Sequence, residues 1–303
     1  MRYFEHNSSL NVNDITISFT DQGPDNAPTI IFIHGFPLNK TMWDKQVELL
    51  KTDFRVITYD IRGHGESDAG NDPFSIDLLV SDLIGFMDVL EIDKASICGL
   101  SMGGYIALNA IENYPERFEA MVLCDTNCIS DPHEVKEKRM ATVENIIKEG
   151  VDKYAIASIP NLFAPESLKL KVTEVASVKN MILNTSELVL CSTLLALASR
   201  QETCSKLTDI NIPVLILVGD KDIITPPASA KNMHDKIENS TLEVIEHAGH
   251  LSNLENLELF NHHLIKFFEL VFKDYLINRQ KADHSILKEI RNKLSMLLAF
   301  RSI

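Results

Sequence analysis

Five short apolar runs, Thr29–Ile33, Val56–Tyr59, Ala95–Cys98, Met121–Cys124 and Pro213–Val218, are each of strand length, and helix-length amphipathic segments lie between most of them. A strand that is apolar along its whole length must be covered on both faces, and crossover helices between parallel strands supply that cover. The chain is therefore expected to be an α/β protein built on a mostly parallel sheet. Asp14–Phe19 alternates instead, which predicts an antiparallel strand at the start of the sheet.

The alternation breaks once, between Cys124 and Pro213, where about 80 residues carry helical patterns and no convincing strand. This stretch reads as an inserted helical cap that starts near Asn127, contains the breakers Pro132, Pro160 and Pro165, and returns to the sheet through Asp209–Pro213. The expected organisation is a core of 1–126 and 209–272, a cap of 127–208 and a C-terminal helical extension of 273–303. A second independent domain is the alternative, but it would have to split one sheet. In the extension, Leu287, Ile290, Leu294, Leu297 and Leu298 form one apolar helical stripe. It either docks on its own core or builds a homodimer, where Lys288, Arg291, Lys293 and Arg301 would meet an acidic surface.

The charge balance narrows the partners. With 29 Lys plus Arg against 43 Asp plus Glu, the net charge is −14, which argues against nucleic acid, whose phosphates are bound by cations. The longest apolar stretch, Leu188–Ala198, contains Ser192 and Thr193 and falls well short of the roughly 20 residues a bilayer helix needs, so no membrane partner is expected. Met1–Leu10 has neither a basic start followed by an apolar run nor a small-residue cleavage site, so secretion is not expected. Five cysteines without CxxC spacing read as free thiols in a reducing compartment, and together these features suggest the cytoplasm. Cys98 and Cys124 read as buried strand residues without a catalytic role.

The chemistry centres on Gly99-Leu100-Ser101-Met102-Gly103, which follows the strand Ala95–Cys98 and opens the helical stretch Gly103–Asn113. G-x-S-x-G is a weak pattern alone, but at a strand-to-helix turn it presents a serine on a strained elbow. Serine needs a base to take its proton and a third group to orient that base. The strand Leu215–Val218 runs into Gly219-Asp220-Lys221-Asp222, at the carboxyl end where open α/β sheets build their sites. Asp222 is the expected acid, with Asp220 as the competitor, a turn residue in its plainer reading. His250, in Ala248-Gly249-His250-Leu251, is the expected base and completes the chain order Ser, Asp, His. The oxyanion would be met by the backbone N–H groups of Phe36 and Met102. His34 and His64 read as structural hydrogen-bonding residues and His247 as solvent-facing. His262 and His263 are adjacent on a helix and do not suit one ion, so no metal site is expected.

The segments HGFPLNKTMW at 34–43, DIRGHGESD at 60–68, GLSMGG at 99–104, GDKDIITP at 219–226 and AGHLSNLE at 248–255 resemble the α/β-hydrolase family, in order and spacing, over about residues 10–272. The resemblance implies a mostly parallel eight-stranded sheet with Ser101, Asp222 and His250 as nucleophile, acid and base. AGHLSNLE and GLSMGGYIA look most like the 3-oxoadipate enol-lactonase and carboxylesterase group, and HGFPL is also similar to the cofactor-free haloperoxidases. The extension after Phe272 and the divergent cap depart from that group. The expected activity is hydrolysis of a carboxylic ester or lactone through an acyl-enzyme, without metal or organic cofactor. Phe36, Leu100, Met102, Ile159, Leu162 and Phe163 would line a largely apolar acyl site. Two alternatives keep the scaffold: perhydrolysis of the haloperoxidase type, with peroxide replacing water, and a small-molecule sensor with slow turnover.

Overall fold

The computed structural model describes residues 4–281. Among them are the strands β1 (Phe4–Val12), β2 (Ile15–Gln22), β3 (Thr29–Ile33), β4 (Arg55–Tyr59), β5 (Ala95–Leu100), β6 (Phe118–Cys124), β7 (Val214–Gly219) and β8 (Ser240–Ile245). They form one sheet in the order β1-β2-β4-β3-β5-β6-β7-β8. The pairings from β4 through β8 are parallel, while β2 runs antiparallel to both β1 and β4. Every residue of β3, β5 and β7 is buried, as continuous apolar strands require.

The anticipated antiparallel strand is β2. β1 was not anticipated, because FEHNSSLNV is mostly polar. Its signal lay in Asn13-Asp14, which joins Val12 to its partner Ile15. Both take positive φ, 47° and 62°, the geometry that favours Asn and Asp in a two-residue hairpin loop.

The sheet is flanked by α1 (Asp44–Leu50), α2 (Ile76–Val89) and α3 (Met102–Asn113). Ser75 starts α2 by accepting the Leu78 N–H at 3.1 Å. Between β6 and β7 come α4 (His133–Glu149), α5 (Val151–Leu162), α6 (Ser167–Leu170), α7 (Val172–Leu183) and α8 (Glu187–Ser199), then a 3₁₀ turn at Cys204–Asp209, with no strand among these described residues. Pro132 sits at the N-terminus of α4 and Pro165 between α5 and α6, as breakers should. Pro160 does not break the chain: it lies in the last turn of α5. The chain continues through α9 (Pro227–His234), α10 (Ser252–Glu255) and α11 (Leu257–Val271).

The chain divides into two compact units, Met1–His263 and Leu264–Ile303. The described part of the second unit is helical, comprising the end of α11 and residues 273–281. The Leu287 to Leu298 stripe, and the homodimer it would build, lie outside the described residues. No single helix among the described residues is long and apolar enough to cross a membrane; α7 and α8 reach that length and composition only as a pair bent by 96°.

The reading of all five cysteines as free thiols is corrected: Cys128 and Cys204 form a disulfide, and Cys98, Cys124 and Cys191 are free and buried. The partners are 76 residues apart, so no local spacing announced them. They meet because the helical segment leaves and returns at one place, where the Thr203 N–H also donates to the Cys128 carbonyl at 2.8 Å. The argument for a reducing compartment therefore loses its basis.

Buried charges fix the loops after β3 and β4. Asp60 accepts from the Lys40 N–H at 2.8 Å and from its ammonium at 2.6 Å. Arg62 forms a two-pronged pair with Asp82 of α2, both contacts at 2.7 Å and both side chains buried. Breaking such a pair strands a charge in the interior. Arg62→Ala is expected to lower unfolding free energy by about 3–5 kcal/mol in urea titrations.

Candidate active site

Ser101 occupies the single residue between β5 and α3, at φ 53° and ψ −111°. An L-residue pays for this conformation, and the surroundings must enforce it. They do so by crowding. A Cβ on Gly99 would lie 2.2 Å from the Gly103 carbonyl oxygen, and one on Gly103 would lie 2.3 Å from that of Ile33. Only glycines let strand and helix approach so closely. The turn is also tied to β6: the Ser101 N–H donates to the Cys124 carbonyl at 2.9 Å, and the Thr126 hydroxyl to the Ser101 carbonyl at 2.8 Å.

The loop after β7 brings Asp222, and not Asp220, to the histidine. Asp222 Oδ1 accepts the Ile224 and Thr225 N–H groups at 2.8 and 3.0 Å, and Oδ2 accepts the Thr225 hydroxyl at 2.6 Å. Its Oδ2 also lies 2.8 Å from His250 Nδ1. Asp220 is exposed and accepts the Ala248 N–H at 3.1 Å, the turn role anticipated for it. On the far side of the imidazole, His250 Nε2 is 2.9 Å from Ser101 Oγ. All three side chains are largely buried, with Ser101 the most accessible at 8%.

Two polar residues escaped the sequence reading. Thr225 contacts Asp222, and its hydroxyl also lies 3.3 Å from His250 Nδ1. Glu255, which closes the AGHLSNLE segment, accepts the N–H groups of Gly249 and Leu251 at 2.8 and 3.3 Å. It therefore grips the backbone on both sides of His250. Its other oxygen accepts the Ala164 N–H at 2.7 Å, and the His250 N–H donates to the Leu162 carbonyl at 3.1 Å.

These contacts set the protonation states. Burial would raise the Asp222 carboxyl, but the His250 charge and the hydrogen bonds from His250 and Thr225 outweigh it and hold it down to about 2. Burial would lower His250, yet Asp222 overcomes this and raises it above the ordinary 6.5, aided by Asp125 and Glu255. With its Nδ1–H committed to the carboxylate, neutral His250 presents a lone pair on Nε2 to the serine.

Phe36 and Met102 both lie beside Ser101. Met102 opens α3 next to Ser101, and the first N–H groups of a helix lack partners within it. Phe36 lines the cavity beside Ser101 and His250. Gly35 before it packs against the elbow, where a Cβ would lie 3.4 Å from that of Ser101. His34 and His64 are structural. His34 accepts the Ile61 N–H at 2.9 Å through Nε2, and His64 Nδ1 lies 3.1 Å from the Arg62 carbonyl. Burial lowers both. His247 is exposed, and no cluster among the described residues could hold a metal ion.

The cavity over Ser101 measures about 400 Å³. Of the expected apolar contacts beyond Phe36, Leu162 lines it. Leu100, Met102, Ile159 and Phe163 are buried and do not line it. Leu100 packs instead toward Gly35, and the Phe163 backbone lies against Gly249. The wall is largely apolar, as expected, but it also carries polar and cationic groups. Val135, Lys138, Arg139 and Thr142 from α4 and Tyr154, Ser158 and Asn161 from α5 join Tyr105, Leu194, Leu197, Ile223 and Ile224. The signal for these residues was helical spacing: 135, 138, 139 and 142 share one face, as do 154, 158 and 161.

A mostly parallel sheet that carries a serine elbow after one strand, with Asp222 and His250 after two later ones, defines a class. Residues 28–257 match the alpha/beta hydrolase fold family, and the chain belongs to it. Among curated relatives, 3-oxoadipate enol-lactonase 2 of Acinetobacter baylyi is 30% identical over 262 residues, covering 86% of this chain and 96% of its own. Among solved structures, a thermophilic esterase from Thermogutta terrifontis, determined with malate bound, is 31% identical with a TM-score of 0.83, covering 88% of this chain and 99% of that one. The enol-lactonase from Burkholderia xenovorans is 28% identical with a TM-score of 0.81, covering 86% and 99%.

In an NMR titration, the His250 ring is expected to titrate above 6.5. Asp222→Asn removes the charge that holds it up, so the same resonance should move to lower pH; an unmoved midpoint would contradict the geometry.

Proposed function

We propose that this protein hydrolyses a carboxylic ester or lactone through an acyl-enzyme on Ser101, and that its substrate carries a negatively charged group. One observation carries the reaction: an unbroken chain from Ser101 Oγ through His250 to Asp222, with steps of 2.9 and 2.8 Å, opening onto a cavity. His250 Nε2 takes the hydroxyl proton as Oγ attacks the carbonyl carbon. The oxyanion is met by the N–H groups of Phe36 and Met102, and Asp222 stabilises the imidazolium. On collapse, His250 returns the proton to the leaving oxygen. It then deprotonates the water that cleaves the acyl-serine, which regenerates Ser101. The helices between β6 and β7 act as a cap whose residues shape the acyl or leaving-group pocket. The relatives named as enol-lactonases and an esterase act on this class of bond.

The charge of the substrate follows from the wall. On a chain of net charge −14, the cavity is lined by Lys138 and Arg139 and by no Asp or Glu. Asp131 orients Arg139 through Nε and is itself held by Arg200 at 2.6 Å. The Arg139 Nη groups have no hydrogen-bond partner among the described residues. A guanidinium fork at a pocket wall suits a carboxylate. Malate and 3-oxoadipate, in the names of two relatives, are both dicarboxylates.

Ser101→Ala is expected to cut turnover of p-nitrophenyl acetate, and of any lactone the wild type accepts, by about 10⁴-fold or more. Equal, negligible turnover by both proteins would reject the hydrolase and leave a ligand sensor. Arg139→Met should raise KM for a carboxylate-bearing ester about tenfold while leaving a neutral ester of similar size within about twofold. Equal effects on both esters would reject the anionic substrate.

A further inference from the structure

β6 runs into Asp125, a carboxylate that is fully buried and that the proposed chemistry does not use. Its backbone φ is +45°, a strained conformation for a residue with a Cβ. Among the described residues no cation is bonded to it. Its Oδ1 accepts the Gly219 N–H at 2.8 Å, and Oδ2 accepts the Ser252 hydroxyl at 2.5 Å and the Ser252 N–H at 3.3 Å. Burying a carboxylate without a counter-charge is costly, and three donors only partly compensate.

The placement of those donors gives that cost a function. Gly219 ends β7, three residues before Asp222, and Ser252 follows His250 by two. The two loops already press together, since a Cβ on Gly219 would lie 2.0 Å from the Gly249 carbonyl oxygen, and the Lys221 N–H donates to the Ala248 carbonyl at 2.9 Å. We propose that Asp125 is a positioning residue: reaching from β6 to both loops, it fixes the loop of Asp222 against the loop of His250 so that their bond stays aligned with Ser101. This rests on the hydrolase reading of those three residues.

The charged and titratable groups around it are Asp222, His250 and the Cys124 thiol, and Glu255 faces His250 from the other side. Burial pushes the Asp125 carboxyl well above its usual range, Asp222 pushes the same way, and His250 with the donors from Ser252 and Gly219 oppose them. Asparagine can keep the clamp without a charge, because its amide oxygen can accept from Gly219 while its amide nitrogen donates to the Ser252 oxygen.

The test compares wild type with Asp125→Ala, Asp125→Asn and Ser252→Ala in the full chain, using p-nitrophenyl acetate as substrate and counting reactive serines with a fluorophosphonate. Per labelled site, Asp125→Ala is expected to lose roughly tenfold or more in kcat with KM within about twofold. Its acid-limb midpoint should fall as Asp222 loses its alignment with His250. Asp125→Asn should recover kcat to within about threefold of wild type, and Ser252→Ala should show a smaller loss in the same direction. Wild-type kcat and an unmoved midpoint in Asp125→Ala would overturn the proposal, leaving a residue that serves folding alone. Equal impairment of the asparagine and alanine variants would also overturn it, in favour of the charge. If Asp125→Ala does not fold, Ser252→Ala decides, and wild-type kcat there counts against the clamp. A wild type that is neither labelled nor active would instead remove the hydrolase reading beneath it.

Discussion

The geometry of the site depends on a backbone that turns from β5 into α3 within one residue. Ser101 holds a φ of 53° because the strand below and the helix above leave no other path. The glycines at 99 and 103 make that path possible, the first against the helix and the second against β3. Its consequence is reach. A serine in a regular strand or helix would be shielded by its neighbours, whereas this hydroxyl stands clear at the carboxyl edge of the sheet. There the loops after β3 and β7, together with the His250 loop that follows β8, converge on it. The strain is stored in a rigid parallel core, where each strand from β3 to β7 is covered on both faces and little can relax.

The second constraint is electrostatic. Among the buried carboxylates in or near these loops, Asp60, Asp82, Asp125 and Asp222 each have a different partner. Asp60 has an ammonium and Asp82 a guanidinium. Asp222 has the imidazole, and Asp125 has only hydrogen-bond donors. The first two are structural pairs that hold the loops after β3 and β4. Asp222 gains its low pKa from a histidine that can be charged or neutral, which is what a proton-shuttling pair requires. The cavity wall reverses the sign of the whole: an acidic chain lines this pocket with Lys138 and Arg139 and with no Asp or Glu.

The sheet was legible because its code is local. A strand buried on both faces is apolar throughout, and helices between such strands force parallel order, so five runs of sequence were enough to expect it. The serine elbow was legible for the same reason, since G-x-S-x-G acquires meaning from the strand before it and the helix after it. What failed to show is non-local or carried by polar side chains. β1 has too little apolar pattern to stand out, although Asn13-Asp14 marked its turn. Cys128 and Cys204 are separated by 76 residues and pair because both feet of the helical segment stand together. The pocket wall is apolar for the most part, as expected, but of the six residues expected there only Phe36 and Leu162 line it, and Lys138, Arg139, Thr142, Ser158 and Asn161 add polar groups from α4 and α5. Leu162 lines the cavity, while Ile159 and Phe163 are spent on the interior.

The histidine is where these constraints combine. Its ring is held by Asp222 on one side and meets Ser101 on the other, but its backbone is held by the helical segment. The His250 N–H bonds to Leu162, and Glu255 joins both neighbours of His250 to Ala164. Leu162 also lines the cavity, so a residue of the cavity wall is one hydrogen bond from His250. Movement of α5 relative to the sheet cannot leave His250 undisturbed unless those bonds break first. The helical segment is therefore mechanically continuous with the base. Substitutions along the α5 face that reshape the pocket therefore also act on the placement of His250 against Ser101.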